Sequence, residues 1–203
     1  RQIVNTASIE KTDWPEVLIK DVPRYGHRGF MLDIARNFHD ANKIKDVLDL
    51  MSLFKLNYLD LRMSDDEGWR IEIPGLPELT SVGSERGYSS QNNEKLIPAY
   101  GSGANGGLTG NGYLTKEEFI SILKHAQMLE IKVMPQFGFP SHARAAIKAM
   151  DARYEKYVAL GDQAAADEFY LADPKDESDY RSAQRYNDNI ICICSEGLYN
   201  LFQ

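Results

Sequence analysis

Hydrophobic and polar positions follow two rhythms along the chain, and the rhythms alternate. Residues 28–35, RGFMLDIA, form a short apolar run opened by a glycine, the pattern of a buried strand. In residues 41–56 the apolar positions Ile44, Val47, Leu48, Met51 and Phe54 recur at three and four, which predicts a helix with one apolar face. Residues 57–64, NYLDLRMS, return to a strand pattern. Residues 113–131 predict a second helix. Thr115 with Glu118 three positions on reads as a capping box, and Phe119, Ile122, Leu123 and Ala126 follow at helical spacing. KVMPQF at 132–137 predicts a third strand, and 142–160, rich in strong helix formers, a third helix. Strands alternating with helices imply an α/β fold with parallel strands near 28–34, 57–63 and 131–137, adjacent in that order. A possible fourth strand lies at NIICIC, 189–194.

Two stretches break the alternation. Residues 83–112 are rich in Gly, Ser and Asn, and residues 161–189 are polar and acidic with little apolar repeat. Loops this long in a packed domain are usually functional or disordered. Both sit on the strand–loop edge where α/β folds keep their sites. Three or four strands are too few to close a parallel barrel, which needs eight and about 250 residues. The chain begins at Arg1 and ends at Gln203 in what reads as a helix start, so a processed or cut piece of a longer protein is expected.

Composition narrows the function. The 203 residues, 43% hydrophobic and 26% charged, suffice for one domain with a core. A net charge of −7 without a basic stripe argues against a nucleic-acid partner. No apolar run is long enough to span a membrane. Neither a cofactor nor a metal is expected. On a strand, Cys192 and Cys194 would share a face with Cα atoms ~6.6 Å apart, near the upper limit for a disulfide. Two small apolar residues on one face is the plainer reading of the pair.

The chemistry concentrates at the end of the second strand. There LRMSDDEGWR places Asp65, Asp66 and Glu67 ahead of Gly68, Trp69 and Arg70. This block, with DVPRYGHRGFMLDIARNF (21–38) before it and VMPQFGFPSHARA (133–145) after it, resembles in order the opening of the catalytic domain of family-20 glycoside hydrolases, the β-N-acetylhexosaminidases. The resemblance covers about residues 15–83 and 113–145. It implies the N-terminal part of a (β/α)8 barrel, about three to four βα units, over 21–203, with 1–20 a connector from a preceding small domain. It also implies hydrolysis in which the substrate's own 2-acetamido oxygen is the nucleophile. On the matching positions, Arg36 looks like the arginine that binds sugar hydroxyls. Asp65 and His142 look like the pair that supports the general acid. Trp69 either packs under the barrel edge or stacks a sugar. Asp66 and Glu67 are left as solvated or fold-stabilising acids.

The departures from the family pattern are specific. Asp60 and Arg62 stand where it has two histidines, Gln136 and Gly138 where it has Glu and Asp, and Ser141 where it has Gly. Asp60 and Arg62 share a strand face and could form a compensated pair. The family's catalytic Asp–Glu dipeptide has no counterpart and would fall beyond Gln203. The resemblance therefore implies an inactive piece of an exo-acting, extracytoplasmic hexosaminidase with carbohydrate as its partner. The alternative is a carbohydrate-binding relative that has lost the chemistry. A partial barrel also has open edges, so exposed Phe30, Leu32, Ile34, Leu59, Leu61 and Val133 and self-association are expected.

Overall fold

Three parallel strands form the centre of the molecule: β1 (Gly29–Asp33), β2 (Tyr58–Arg62) and β5 (Lys132–Gln136), hydrogen-bonded in the order β1-β2-β5. The structure is a computed structural model describing residues 16, 18–90, 94–104 and 110–202. Most of the connector expected at 1–20 lies outside the described residues, as do 91–93 and 105–109 of the first long loop. In register, Met31, Asp60 and Met134 form one row and Asp33, Arg62 and Gln136 the next. The three strands predicted from the pattern are thus found, parallel and in the expected order.

Between β1 and β2 runs α1 (Ala41–Leu53). Its N-cap Asp40 accepts from the Lys43 amide, and Ile44, Leu48 and Met51 are buried, so the three-and-four spacing marks its inner face. Phe54 falls at the C-cap and is exposed. After β2 come a short antiparallel pair, β3 (Ser64–Asp65) and β4 (Gly68–Trp69), and the single turn α2 (Glu78–Ser81). Helix α3 (Lys116–Met128) opens with the predicted capping box: the Glu118 amide donates to Thr115 Oγ1 at 3.1 Å and the Thr115 amide to Glu118 Oε2 at 2.8 Å. Helix α4 (Arg144–Ala159) follows β5, then α5 (Gln163–Asp167) and α6 (Glu196–Leu201).

Leu59 and Leu61 on β2 are fully buried in one core with Ile44, Leu48, Ile122 and Ala126. This corrects the expectation that those strand residues are left open. Ile34 is buried too, and only Phe30 of the named set is exposed. The uncovered face is instead the opposite one, where Met31 and Met134 flank Asp60. The possible fourth strand is not found. Around it, the Ile191 amide donates to Pro140 O and the Cys192 amide to Leu171 O, isolated bonds that tie a loop down without building a ladder. Off a strand, Cys192 and Cys194 lose the shared face; both are free thiols.

Candidate functional site

Where β2 ends, the chain does not enter a helix at once. The β3–β4 pair folds back, and the acidic run becomes the turn between its arms. That turn is inside the molecule: Asp65, Asp66 and Glu67 are 0%, 1% and 3% exposed. Of the two uses left open for Asp66 and Glu67, the solvated one is excluded. Three adjacent buried carboxylates repel one another, so each needs compensation.

Asp65 takes it from arginine. Arg62 Nε donates to its Oδ2 at 2.6 Å, and Arg36 Nη2 lies 3.0 Å from the same oxygen. Arg62 therefore pairs with Asp65, not with Asp60 as its shared strand face suggested, and Asp60 Oδ1 is buried with no hydrogen-bond partner. Asp66 takes neutral donors instead. Asn189 Nδ2 donates at 3.0 Å and the Arg144 amide at 3.2 Å. Burial raises the Asp66 carboxyl above the usual range, against the pull of Asn189, Arg144 and His142. Glu67 is the least compensated. Its Oε2 has no hydrogen-bond partner, and Arg36 Nε stands 3.7 Å away. Burial, then the Asp65 and Asp66 charges, push its carboxyl up to about 7.

His142 arrives from the loop after β5 with φ 59, a left-handed conformation uncommon for a side-chain-bearing residue. Its Nδ1 lies 3.3 Å from Asp65 Oδ1 and 3.2 Å from Asp66 Oδ2, and the second contact has hydrogen-bond geometry. His142 thus meets both aspartates, and Asp66 is the partner that reading the motif missed. Gly138 fits this turn because a Cβ there would lie 2.4 Å from the His142 carbonyl oxygen. Asp65, Asp66 and His142 bring three potential ligand atoms within 4.8 Å of one another. The two guanidinium groups on Asp65 already supply the positive charge a cation would bring.

Arg36 reaches the cluster from the end of β1. Asp33 Oδ1 accepts from the Ala35 and Arg36 amides, and its Oδ2 accepts from Arg36 Nη1 at 2.6 Å. Burial lowers the Arg36 pKa, but Asp33, Asp65 and Glu67 outweigh it and hold it above the ordinary value. With 29% of its side chain exposed, Arg36 is both fixed and open to a ligand. Trp69 is neither open nor near solvent. It is 3% exposed, its Nε1 donates to Ile71 O at 2.7 Å, and its ring centroid lies 5.3 Å from that of Phe137. The structure corrects the sugar-stacking placement to the packing one.

Two further arginines were silent in the sequence. Arg70 is fully buried and donates to the carbonyls of Ile34, Ala35, Glu67, Ser84, Gly110 and Gly112. Gly68 is required beside it, since a Cβ there would lie 2.3 Å from Arg70 Nη2 and 2.5 Å from Ala35 O. Arg86, also fully buried, donates to Arg36 O and Gly110 O, both at 2.8 Å. Burial, then the Arg86 charge, pull the Arg70 pKa down to about 9.

The profile of glycosyl hydrolase family 20, catalytic domain, matches residues 25–203. An N,N'-diacetylchitobiase of Vibrio harveyi is 46% identical over 183 residues, 90% of this chain and 21% of its own length. A beta-hexosaminidase of Vibrio vulnificus is 40% identical over 98% of this chain and 24% of its own. Among solved structures, a family-20 exo beta-N-acetylglucosaminidase from Vibrio harveyi, in complex with N-acetylglucosamine, superposes with a TM-score of 0.73 at 34% identity, covering 89% of this chain and 25% of that one. The chain spans about a quarter or less of the length of these proteins. Its three-stranded parallel sheet is the corresponding part of their barrel.

Proposed function

Because the chain belongs to the glycosyl hydrolase family 20 catalytic domain, we propose that it carries the sugar-binding edge of an exo-acting hexosaminidase that releases terminal N-acetylhexosamine by substrate-assisted hydrolysis. One observation carries the reading: Arg36, partly exposed, meets Asp65 at 3.0 Å, and Asp65 lies 3.3 Å from His142, all just past the C-terminal ends of parallel strands. A guanidinium held by carboxylates on one side offers its remaining donors to vicinal hydroxyls on the other. The Asp–His arrangement suits support of an acid delivered by another part of the barrel. The isolated chain lacks that acid. Protonation of a leaving oxygen contributes roughly 10²–10⁴ in rate, so the 203 residues alone should not cleave a chromogenic N-acetylglucosaminide. The partner is carbohydrate, and the family supports a location outside the cytoplasm, which cell fractionation tests. No helix among the described residues is long and apolar enough to cross a membrane. The open strand face with Met31 and Met134, and an apolar pocket of about 540 Å³ lined by Phe137, Phe139, Leu198, Tyr199 and Phe202, favour self-association of the chain.

The deciding experiment titrates N-acetylglucosamine into the labelled chain and follows amide shifts by NMR. Saturable shifts around residues 33–36, 65–67 and 142, lost in Arg36→Met, support the reading; saturable shifts elsewhere, or none, overturn it. A second reading, a relative that binds sugar without cleaving it, is favoured by one feature. The backbone at Gly138 leaves no room for the aspartate of the family pattern, since even a Cβ would clash with His142 O. Activity of the full-length protein separates the two.

A further inference from the structure

Arg70 and Arg86 are two buried like charges that share one acceptor, Gly110 O, each at 2.8 Å. Among the described residues neither forms an ion pair with a carboxylate; the guanidinium partners are backbone carbonyls and, at 3.4 Å from Arg86 Nε, the Asn111 amide oxygen. Burying the two guanidinium groups carries the desolvation of both charges, which carbonyl partners rather than a counter-charge must offset. What the two guanidinium groups accomplish is local. Arg70 holds Ala35 O from Nε and Nη2, and Arg86 Nη1 holds Arg36 O. Asp33 holds the amides of the same two residues. The polar backbone groups of Ala35 and Arg36 are therefore all pinned by side chains, at the residue whose guanidinium faces Asp65 and Glu67.

We propose that Arg86 is a positioning residue: it anchors residues 110–111 to the end of β1 and fixes the Arg36 backbone, so that Arg36 presents its guanidinium to a sugar in one orientation. The anchor is sterically tuned. Gly110 has φ +79, and a Cβ there would lie 2.2 Å from Arg86 Nη2. The positioning stands on geometry; its effect on ligand binding rests on the function proposed above.

The test uses the 203-residue chain labelled with ¹⁵N and reads the Arg36 Nε–Hε resonance, with N-acetylglucosamine affinity measured alongside. In Arg86→Met the Arg36 signal should broaden or move toward the free-arginine position, with affinity falling about tenfold. Arg86→Lys keeps the buried charge and one directed donor and should restore part of both, which a purely steric or global effect would not. It also carries the test where Arg86→Met does not fold. Arg153→Met, a buried arginine elsewhere, should lower stability and leave the Arg36 signal in place. If Arg86→Met leaves the Arg36 resonance unchanged, the proposal is overturned, whatever the affinity does. If that resonance is lost in the variant while the unaltered chain fails to bind the sugar, the positioning stands and the proposed function falls.

Discussion

Two regions bury arginine, and they do so in opposite ways. Between α2 and α4, Arg153 meets Glu78 Oε2 at 3.3 Å, and its guanidinium lies 4.7 Å and 5.2 Å from the ring centroids of Tyr157 and Phe169. Burial pushes the Glu78 carboxyl up, but Lys156 and Arg153 outweigh it and keep it below the usual range. This is a compensated charge inside a helix interface. At the sheet edge, Arg70 and Arg86 have carbonyls for partners and each other for neighbours, while the nearby Glu67 sits at the edge of ionisation. The first region is arranged to hold helices together. The second keeps charge short of compensation around Arg36, as a preorganised polar site does.

The largest break in this contrast should come from Arg70→Met. It leaves the carbonyls of Ile34, Ala35, Gly110 and Gly112 without that donor, in a place water reaches poorly. Orphaned buried acceptors typically lose about 1–3 kcal/mol each before relaxation, so a total near 4 kcal/mol or outright misfolding is expected. Urea unfolding followed by circular dichroism measures it. A change below about 1 kcal/mol would mean that the carbonyls find other partners and that the clamp is incidental.

How much of this was legible beforehand differs between the regions. The strands and the first two long helices followed from apolar spacing, because Ile44, Leu48 and Met51, or Leu59 and Leu61, have only one core to enter, and the third helix followed from its strong helix formers. The Thr115–Glu118 box was readable because both halves lie within four residues. Arg36, Asp65 and His142 came from motif resemblance and meet within hydrogen-bonding or ion-pair distances. Arg70 and Arg86 could not be read as buried, since their partners are backbone carbonyls spread from Ile34 to Gly112, and carbonyls leave no mark in a sequence. Asn189 is 123 positions from Asp66, and the two loops share no pattern. NIICIC misled because an apolar run reads alike whether it joins a sheet or, as here, buries only Ile191 in the core and leaves Ile190 and Ile193 exposed.

Next in size is a pH effect at Glu67. The folded chain raises its carboxyl from 4.5 to about 7, so between those values the native state binds a proton that the unfolded chain releases. The contribution is fully present below pH 4.5 and is lost as pH rises through about 7. At 1.36 kcal/mol per unit, the fall is on the order of 3 kcal/mol. Glu67→Gln removes the titration and should flatten the stability curve over this window, leaving the variant more stable than the unaltered chain at pH 8. Unfolding free energies at pH 5, 6, 7 and 8 test it. Parallel curves for the two proteins would show that Glu67 is compensated after all and would erase much of the contrast drawn above.

A smaller effect is expected where charge is paired. Glu78→Gln takes the carboxylate from Arg153, but the faces of Tyr157 and Phe169 remain and Gly75 O still accepts from Nη1. About 2 kcal/mol of stability should be lost, with no change at Arg36. A shift of the Arg36 resonance in this variant would mean that the regions are coupled.

The smallest effect calibrates the others. Helix α3 starts beside the clamp: the Leu114 amide donates to Arg70 O at 3.0 Å, and the Glu72 amide to Leu114 O at 2.9 Å. Thr115→Ala removes the acceptor of the Glu118 amide but spares the other half of the box, because Glu118 Oε2 still accepts from the residue-115 amide. The orphaned amide is exposed, so water replaces the lost oxygen, and the loss should sit near 1 kcal/mol or below. Combined with Glu78→Gln, which shares no partner with it, the two losses should add within about 0.5 kcal/mol. Combined with Arg86→Met, they should not. Arg86 and Arg70 share Gly110 O, and loosening Arg70 disturbs residues 70–72, on whose backbone the start of α3 is hung. Additivity in one pair and its failure in the other would show that the uncompensated region responds as one unit while the paired region stays local.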